Sequence, residues 1–142
     1  MTREDIQQIL PHRPPMLLID EAELKDGISI CRYTVRGDEF FLQGHFPGRP
    51  VVPGVILCEM MAQASCLLVE EPSSSSTQFI PYFTGMDKVR FKKSVLPKDL
   101  LILKSELTRK KSNFYFVKCA GYVNDALCCS AEISFAIVEE EK

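Results

Sequence analysis

The sequence predicts an α+β fold, with an antiparallel sheet wrapped around one buried central helix. Three observations lead there. The run PGVILCEMMAQASCLLV, residues 53–69, has helical length and is apolar or small almost throughout, with Glu59 and Gln63 as its clearly polar residues. A helix that is apolar on every side is a buried one. Extended segments separated by short turn-forming breaks occupy most of the remainder. At 142 residues the chain suits one core and is short for two ordinary domains, so residues 1–142 are expected to form a single domain.

The elements follow in order. A short amphipathic helix is expected over residues 5–10, stopped by Pro11. Residues 16–24 read as a strand, Lys25-Asp26-Gly27 supplies hairpin chemistry, and residues 28–35 return as a second strand. In the central helix, Pro53 fits the first helical position. Four more strands are expected over residues 79–95, 100–109, 114–123 and 126–138, the last three joined as antiparallel hairpins through Lys111-Ser112-Asn113 and Asn124-Asp125. Residues 72–77 (PSSSST) read as a solvated surface loop. One helix embraced by such strands is the arrangement called a hot-dog fold. Its exposed sheet edges are a liability that proteins often cover by pairing, so a homodimer at least is expected.

Composition narrows the function classes. Apolar residues make up 46% and charged residues 25%, with a net charge of −2, which gives no basic surplus for nucleic acid. No stretch has the length of a membrane span, and the N-terminus MTREDIQQIL lacks the apolar region of a signal peptide, so a cytoplasmic protein is expected. The six cysteines contain no C-x-x-C pair and there are two histidines, which disfavours a metal site. Cys58 and Cys66 lie in the apolar run, and the thiols read as core filling rather than a disulfide framework.

Three features carry chemistry. Glu59 lies in the second turn of a helix that contains no lysine or arginine, and burial there would raise its carboxyl pKa towards the protonated form a general acid needs. Gln63, four residues on, shares its face and can hold the carboxyl by a hydrogen bond. The competing reading is a glutamate tied to an arginine from another element. The helix start, Val51-Val52-Pro53-Gly54, has no Ser, Thr, Asp or Asn cap, so the first N–H groups, Gly54 and Val55 among them, are left for a ligand. They suit an oxygen that gains negative charge, such as a thioester carbonyl turning into an enolate. Finally, His45 sits in GHFPGRP, a loop stiffened by two glycines and two prolines, and histidine is a usable base at neutral pH. Each feature alone has an ordinary structural explanation; together they point to acid–base chemistry.

These residues match a known pattern. The run GHFPGRPVVPGVILCEMMAQ, residues 44–63, resembles the signature of (3R)-hydroxyacyl-acyl-carrier-protein dehydratases of the FabZ type. LPHRPPMLLID, residues 10–20, is similar to the family's N-terminal LPHRYPFLLVDR, and YFTGMDKVRFKK, residues 82–93, is a third match. The resemblance implies that His45 removes the C2 proton and that Glu59 protonates the departing 3-hydroxyl. It implies that Gly54 supplies the N–H that binds the thioester oxygen, with Val55 and Gln63 beside the substrate and Tyr82 at the position of a tunnel-gating tyrosine. It also implies sites built at a dimer interface, His from one chain and Glu from the other, and assembly as trimers of dimers. Glutamate rather than aspartate at position 59 favours simple dehydration over the additional isomerisation of the longer sister enzyme. Two departures stand out: Pro14 replaces the family's tyrosine and Glu21 its arginine, both away from the acid–base pair. His12 matches the motif and is assigned a structural role.

The partner the resemblance implies is acyl carrier protein bearing a 3-hydroxyacyl chain. Period-2 geometry in Lys88-Val89-Arg90-Phe91-Lys92-Lys93 sends Lys88, Arg90 and Lys92 to one face, and this patch with Lys93 suits an acidic carrier surface. Arg109-Lys110-Lys111 is a weaker candidate at a hairpin turn. Elimination of water needs a base, an acid and an oxyanion donor, so no cofactor is expected. An acyl thioesterase and a non-catalytic acyl-binding module of the same fold remain as alternatives.

Overall fold

A computed structural model describes residues 1–69 and 76–142. Along the chain run α1 (Arg3–Ile9), β1 (Glu21–Lys25), β2 (Ile28–Thr34), a single 3-10 turn (Phe40–Leu42), α2 (Gly54–Cys66), β3 (Thr77–Phe91), β4 (Leu100–Lys111), β5 (Phe114–Val123) and β6 (Ala126–Glu141). The strands form one six-stranded sheet in the order β1-β2-β4-β5-β6-β3, and each of the five pairings is antiparallel. β1 and β3 are its edges. Of the 72–77 loop expectation, only Ser76 and Thr77 lie within the described residues, and Thr77 opens β3.

The hairpins follow from local chemistry. Asp26 and Gly27 adopt φ of 53° and 78°, and Asn124 and Asp125 adopt 50° and 64°. Two successive residues with positive φ make the tight turn whose twist matches paired strands, and Asp, Asn and Gly are the residues that tolerate it.

The core face alternates as a half-buried sheet should. Leu101 and Leu103 on β4, Tyr115, Val117 and Cys119 on β5, and Ala131, Ile133, Phe135 and Ile137 on β6 are buried, with less buried neighbours between them. α2 packs against this face and buries Leu57, Cys58, Met60, Met61, Ala64 and Cys66, on more than one side of the helix. Its buried serine is satisfied from two sides: Ser65 Oγ lies 2.7 Å from the Met61 carbonyl of its own helix and 2.9 Å from Cys119 Sγ on the sheet. All six cysteines are buried and free, and burial pushes the Cys31 thiol up to about 11 and that of Cys129 up to about 12. No helix among the described residues is long and apolar enough to cross a membrane.

Several boundaries differ from the sequence expectation, for physical reasons. α1 begins two residues early because Thr2 and Asp5 close a capping box, which satisfies the first N–H groups reciprocally. The strand expected over residues 16–24 starts only at Glu21. Leu17, Leu18 and Ile19 are buried, yet the backbone of Met16 and Leu18 bonds to the Gln63 side chain instead of to a strand. Pro53 is the cap of α2 rather than its first residue, with φ −59° and ψ 142°, and the helix ends at Cys66, short of Val69. β3 ends at Phe91, not Val95; Val95 is fully buried and its carbonyl accepts from the Val52 N–H, pinning the segment just before α2.

Candidate active site

The segment that carries His45 is anchored from both sides. Upstream, Glu39 accepts from the Tyr33 hydroxyl at 2.6 Å and from the N–H groups of Arg36 and Gly37 at 3.0 and 2.8 Å. Burial works to raise the Glu39 carboxyl, but these hydrogen bonds outweigh it and hold the pKa below the ordinary value. Downstream, Phe46 and Arg49 exchange backbone hydrogen bonds of 3.0 and 2.8 Å, and Gly44 and Gly48 take φ of 83° and 72°. The His45 ring stacks on Phe46 at 4.2 Å, and its Nδ1 lies 3.0 Å from the Val51 carbonyl oxygen. A carbonyl can only accept, so Nδ1 carries the hydrogen and Nε2 is left with its lone pair free, the tautomer a general base requires.

Next to it is the start of α2. Pro53 makes no side-chain cap, and the N–H groups of Gly54 and Val55 have no acceptor among the described residues. The Phe91 ring crosses Gly54 so closely that a Cβ there would sit 2.9 Å from it and would push this half-exposed ring aside. Val55 is 76% exposed. An uncapped helix end with free N–H groups is a ready acceptor site for an oxyanion.

Glu59 projects from the second turn and is partly buried, its side chain 20% exposed. Its partner is not an arginine. Gln63 Nε2 donates to Glu59 Oε1 at 3.1 Å, and His12 Nε2 lies 3.5 Å from the same oxygen. Oε2 has no partner among the described residues. Gln63 is itself saturated: Oε1 accepts from the Leu18 N–H at 2.9 Å, and Nε2 also donates to the Met16 carbonyl at 2.7 Å. This one buried amide ties the segment after α1 to the helix and fixes the carboxyl. Replacing it with leucine leaves the buried Leu18 N–H and the part-buried Met16 carbonyl without their partner; Gln63→Leu is expected to lose about 2 kcal/mol in urea unfolding as well as activity. Glu59, Gln63, His12, Ala62 and Cys66 line a 90 Å³ cavity closed by Pro81, Phe83 and Phe135.

The FabA-like domain model matches residues 10–132, most of the chain. The chain belongs to the FabA-like family. It is 44% identical over 140 residues to a protein of Clostridium perfringens SM101 named 3-hydroxyacyl-acyl-carrier-protein dehydratase FabZ, covering 96% of this chain and 99% of that one. A protein of the same name from Petrotoga mobilis is 43% identical, with 96% and 98% covered. Among solved structures, a dehydratase heterocomplex, ApeI:P of Xenorhabdus doucetiae, superposes with a TM-score of 0.76 at 19% identity, covering 92% of this chain and 89% of that one, and so shares the hot-dog fold.

Within one copy of this FabA-like chain the expected site residues are only partly assembled. Glu59 and Gln63 meet, and His45 and Gly54 sit on the segment that enters the same helix, but no hydrogen bond or ion pair among the described residues joins His45 to Glu59. Tyr82 is 51% exposed on edge strand β3, whereas its neighbours Pro81 and Phe83 line the Glu59 cavity; strand alternation puts Tyr82 on the other face.

The basic segment departs from its expected geometry. The register slips between Asp87 and Arg90, and Lys88 has φ 52°. One extra residue in the strand interrupts the period-2 alternation there. Lys88 Nζ nevertheless lies 3.6 Å from Glu132 on β6, the face that also carries Arg90, whose register partner is Ser130. Lys92 and Lys93 fall beyond β3, their N–H groups both directed at the Cys128 carbonyl, and all four cations remain exposed. Pro14 and Glu21, the two departures from the family pattern, are both exposed and outside the cavity.

Sequence reasoning missed the contact of His12 with Glu59. The signal was present in the LPHRPP motif, but a histidine after a helix stop has no periodicity that aims it at another helix. Its Nδ1 is buried with no hydrogen-bond partner among the described residues. Phe83 was missed for a similar reason, since β3 is an edge strand and its burial pattern does not alternate.

Proposed function

We infer that this chain, acting as one domain over residues 1–142, is a hydro-lyase that dehydrates (3R)-3-hydroxyacyl-acyl-carrier-protein to the trans-2-enoyl product in fatty acid elongation. The observation that carries the reading is near-full-length identity to proteins named for this reaction. The local chemistry supports it: a histidine with Nε2 free, a glutamate with Oε2 free, and an uncapped helix start between them in sequence.

The steps balance without any further reactant. His45 Nε2 takes the proton from C2, and the electron pair moves into the thioester carbonyl. The oxygen that becomes negative is held by the Gly54 N–H, with Val55 beside it. As the carbonyl re-forms, C2 and C3 gain their double bond, the C3–O bond breaks, and Glu59 gives its proton to the leaving hydroxyl, which departs as water.

The site is completed in a homodimer, with His45 of one protomer facing Glu59 of the partner subunit. Two features favour this. β3 is an edge of the sheet, with no strand beyond it among the described residues, and an edge of this length calls for a cover. Phe46, Val55, Phe83, Met86 and Phe91, on the His45 loop, the start of α2 and β3, are each between 46% and 76% exposed. Apolar exposure gathered on neighbouring elements marks an interface. Assembly of three such dimers into a hexamer extends the same reading.

Carrier protein docks on Arg90, Lys92 and Lys93, with Lys88 at the margin because Glu132 already neutralises part of its charge. Arg90→Glu combined with Lys92→Glu is expected to raise KM for the carrier-bound substrate about tenfold, to flatten its salt dependence, and to leave turnover of a small carrier-free thioester near wild type.

The reaction is tested by supplying a trans-2-enoyl chain on acyl carrier protein and following intact mass. Gain of one water with the thioester preserved is expected. Release of the free thiol would make the protein a thioesterase, and no change of mass with a folded protein would make it a binding module.

A further inference from the structure

We propose that Cys66, with Pro81 opposite it, is the stop that sets how long an acyl chain the site accepts; this rests on the dehydratase reading above. Glu59, Ala62, Gln63 and Cys66 recur along α2 at offsets of three, four and seven, so they share a face. Cys66 stands two turns beyond Glu59, about 10 Å along the helix axis. All four line the 90 Å³ cavity, and Pro81, Phe83 and Phe135 form its opposite wall.

A second, much larger cavity of 820 Å³ lies beyond, with Ile9, Leu10, Leu67, Phe79 and Ile137 among its apolar lining. Cys66 and Pro81 line both spaces and are therefore the partition between them. An acyl chain whose 3-hydroxyl is at Glu59 and which follows the helix meets Cys66 before it reaches the larger space. The thiol suits a plug. Burial raises its pKa, so it stays neutral and behaves as a compact apolar group rather than a nucleophile. Pro81 is held on the strand side by the pairing of β3 with β6, where it faces Ile137 in register. Proline is tolerated there because β3 is an edge.

The test compares butyryl-length and palmitoyl-length 3-hydroxyacyl-acyl-carrier-protein as substrates for wild type, Cys66→Ala, Cys66→Leu and Pro81→Ala. The readout is the ratio of kcat/KM, long chain over short. Opening the partition with Cys66→Ala or Pro81→Ala is expected to raise the ratio about tenfold, and filling it with Cys66→Leu to lower it by a similar factor. If Cys66→Leu does not fold, the two alanine variants decide the matter. A ratio within about twofold of wild type in both alanine variants would overturn the proposal while leaving the dehydratase intact. Failure of the wild type to turn over either chain would overturn the dehydratase reading and this proposal with it.

Discussion

Glu59→Gln is expected to lower kcat about a thousandfold while leaving the fold and substrate binding close to wild type. The amide is isosteric with the carboxyl, and its oxygen can still accept from Gln63 Nε2, so the tie between α2 and the segment at Met16–Leu18 survives. What is lost is the transferable proton at Oε2. Steady-state rates and urea unfolding on the same sample separate the two effects. A variant that keeps a tenth or more of wild-type kcat would remove Glu59 from the role of acid. Loss of activity together with loss of several kcal/mol of stability would instead mark Glu59 as part of the structural tie.

His45→Asn is the matching experiment on the base. The asparagine amide nitrogen stands near the place of Nδ1 and can donate to the Val51 carbonyl, preserving the bond now made at 3.0 Å, but nothing replaces Nε2. A loss of between about a hundredfold and ten-thousandfold in kcat is expected, with KM little altered. Exchange of the C2 proton of the substrate with solvent, followed by NMR, reports the base step by itself. That exchange should fail in His45→Asn. Survival of exchange would give the base role to another group, and His12, already 3.5 Å from Glu59, would be the first to examine.

Much of this was legible in the sequence because it depends on local rules. The central helix announced itself through composition, and the turns at Asp26-Gly27 and Asn124-Asp125 through residues that tolerate positive φ. Gln63 could be paired with Glu59 from helical spacing alone. What escaped was non-local. Leu17, Leu18 and Ile19 look like strand residues and are as buried as a strand's, but the Leu18 N–H donates to a side chain more than forty positions away in sequence. The bulge near Lys88 cannot be read from an alternating basic pattern, since inserting one residue changes which side chains share a face without changing their identity. His12 reaches Glu59 only because Gln63 draws that segment onto α2. The same limit applies to the site proposed above, in which His45 of one protomer faces Glu59 of its partner.

That last point is the claim most open to a direct test. His45→Asn and Glu59→Gln chains, each inactive alone, are co-expressed with different tags and the mixed dimers are purified. If each site draws His45 from one protomer and Glu59 from its partner, a mixed dimer holds one site with both groups intact and one with neither. The account predicts that purified mixed dimers recover about half of wild-type activity per dimer. Mixed dimers of verified composition that remain as inactive as either parent would contradict it, and would place the base and the acid within the same chain.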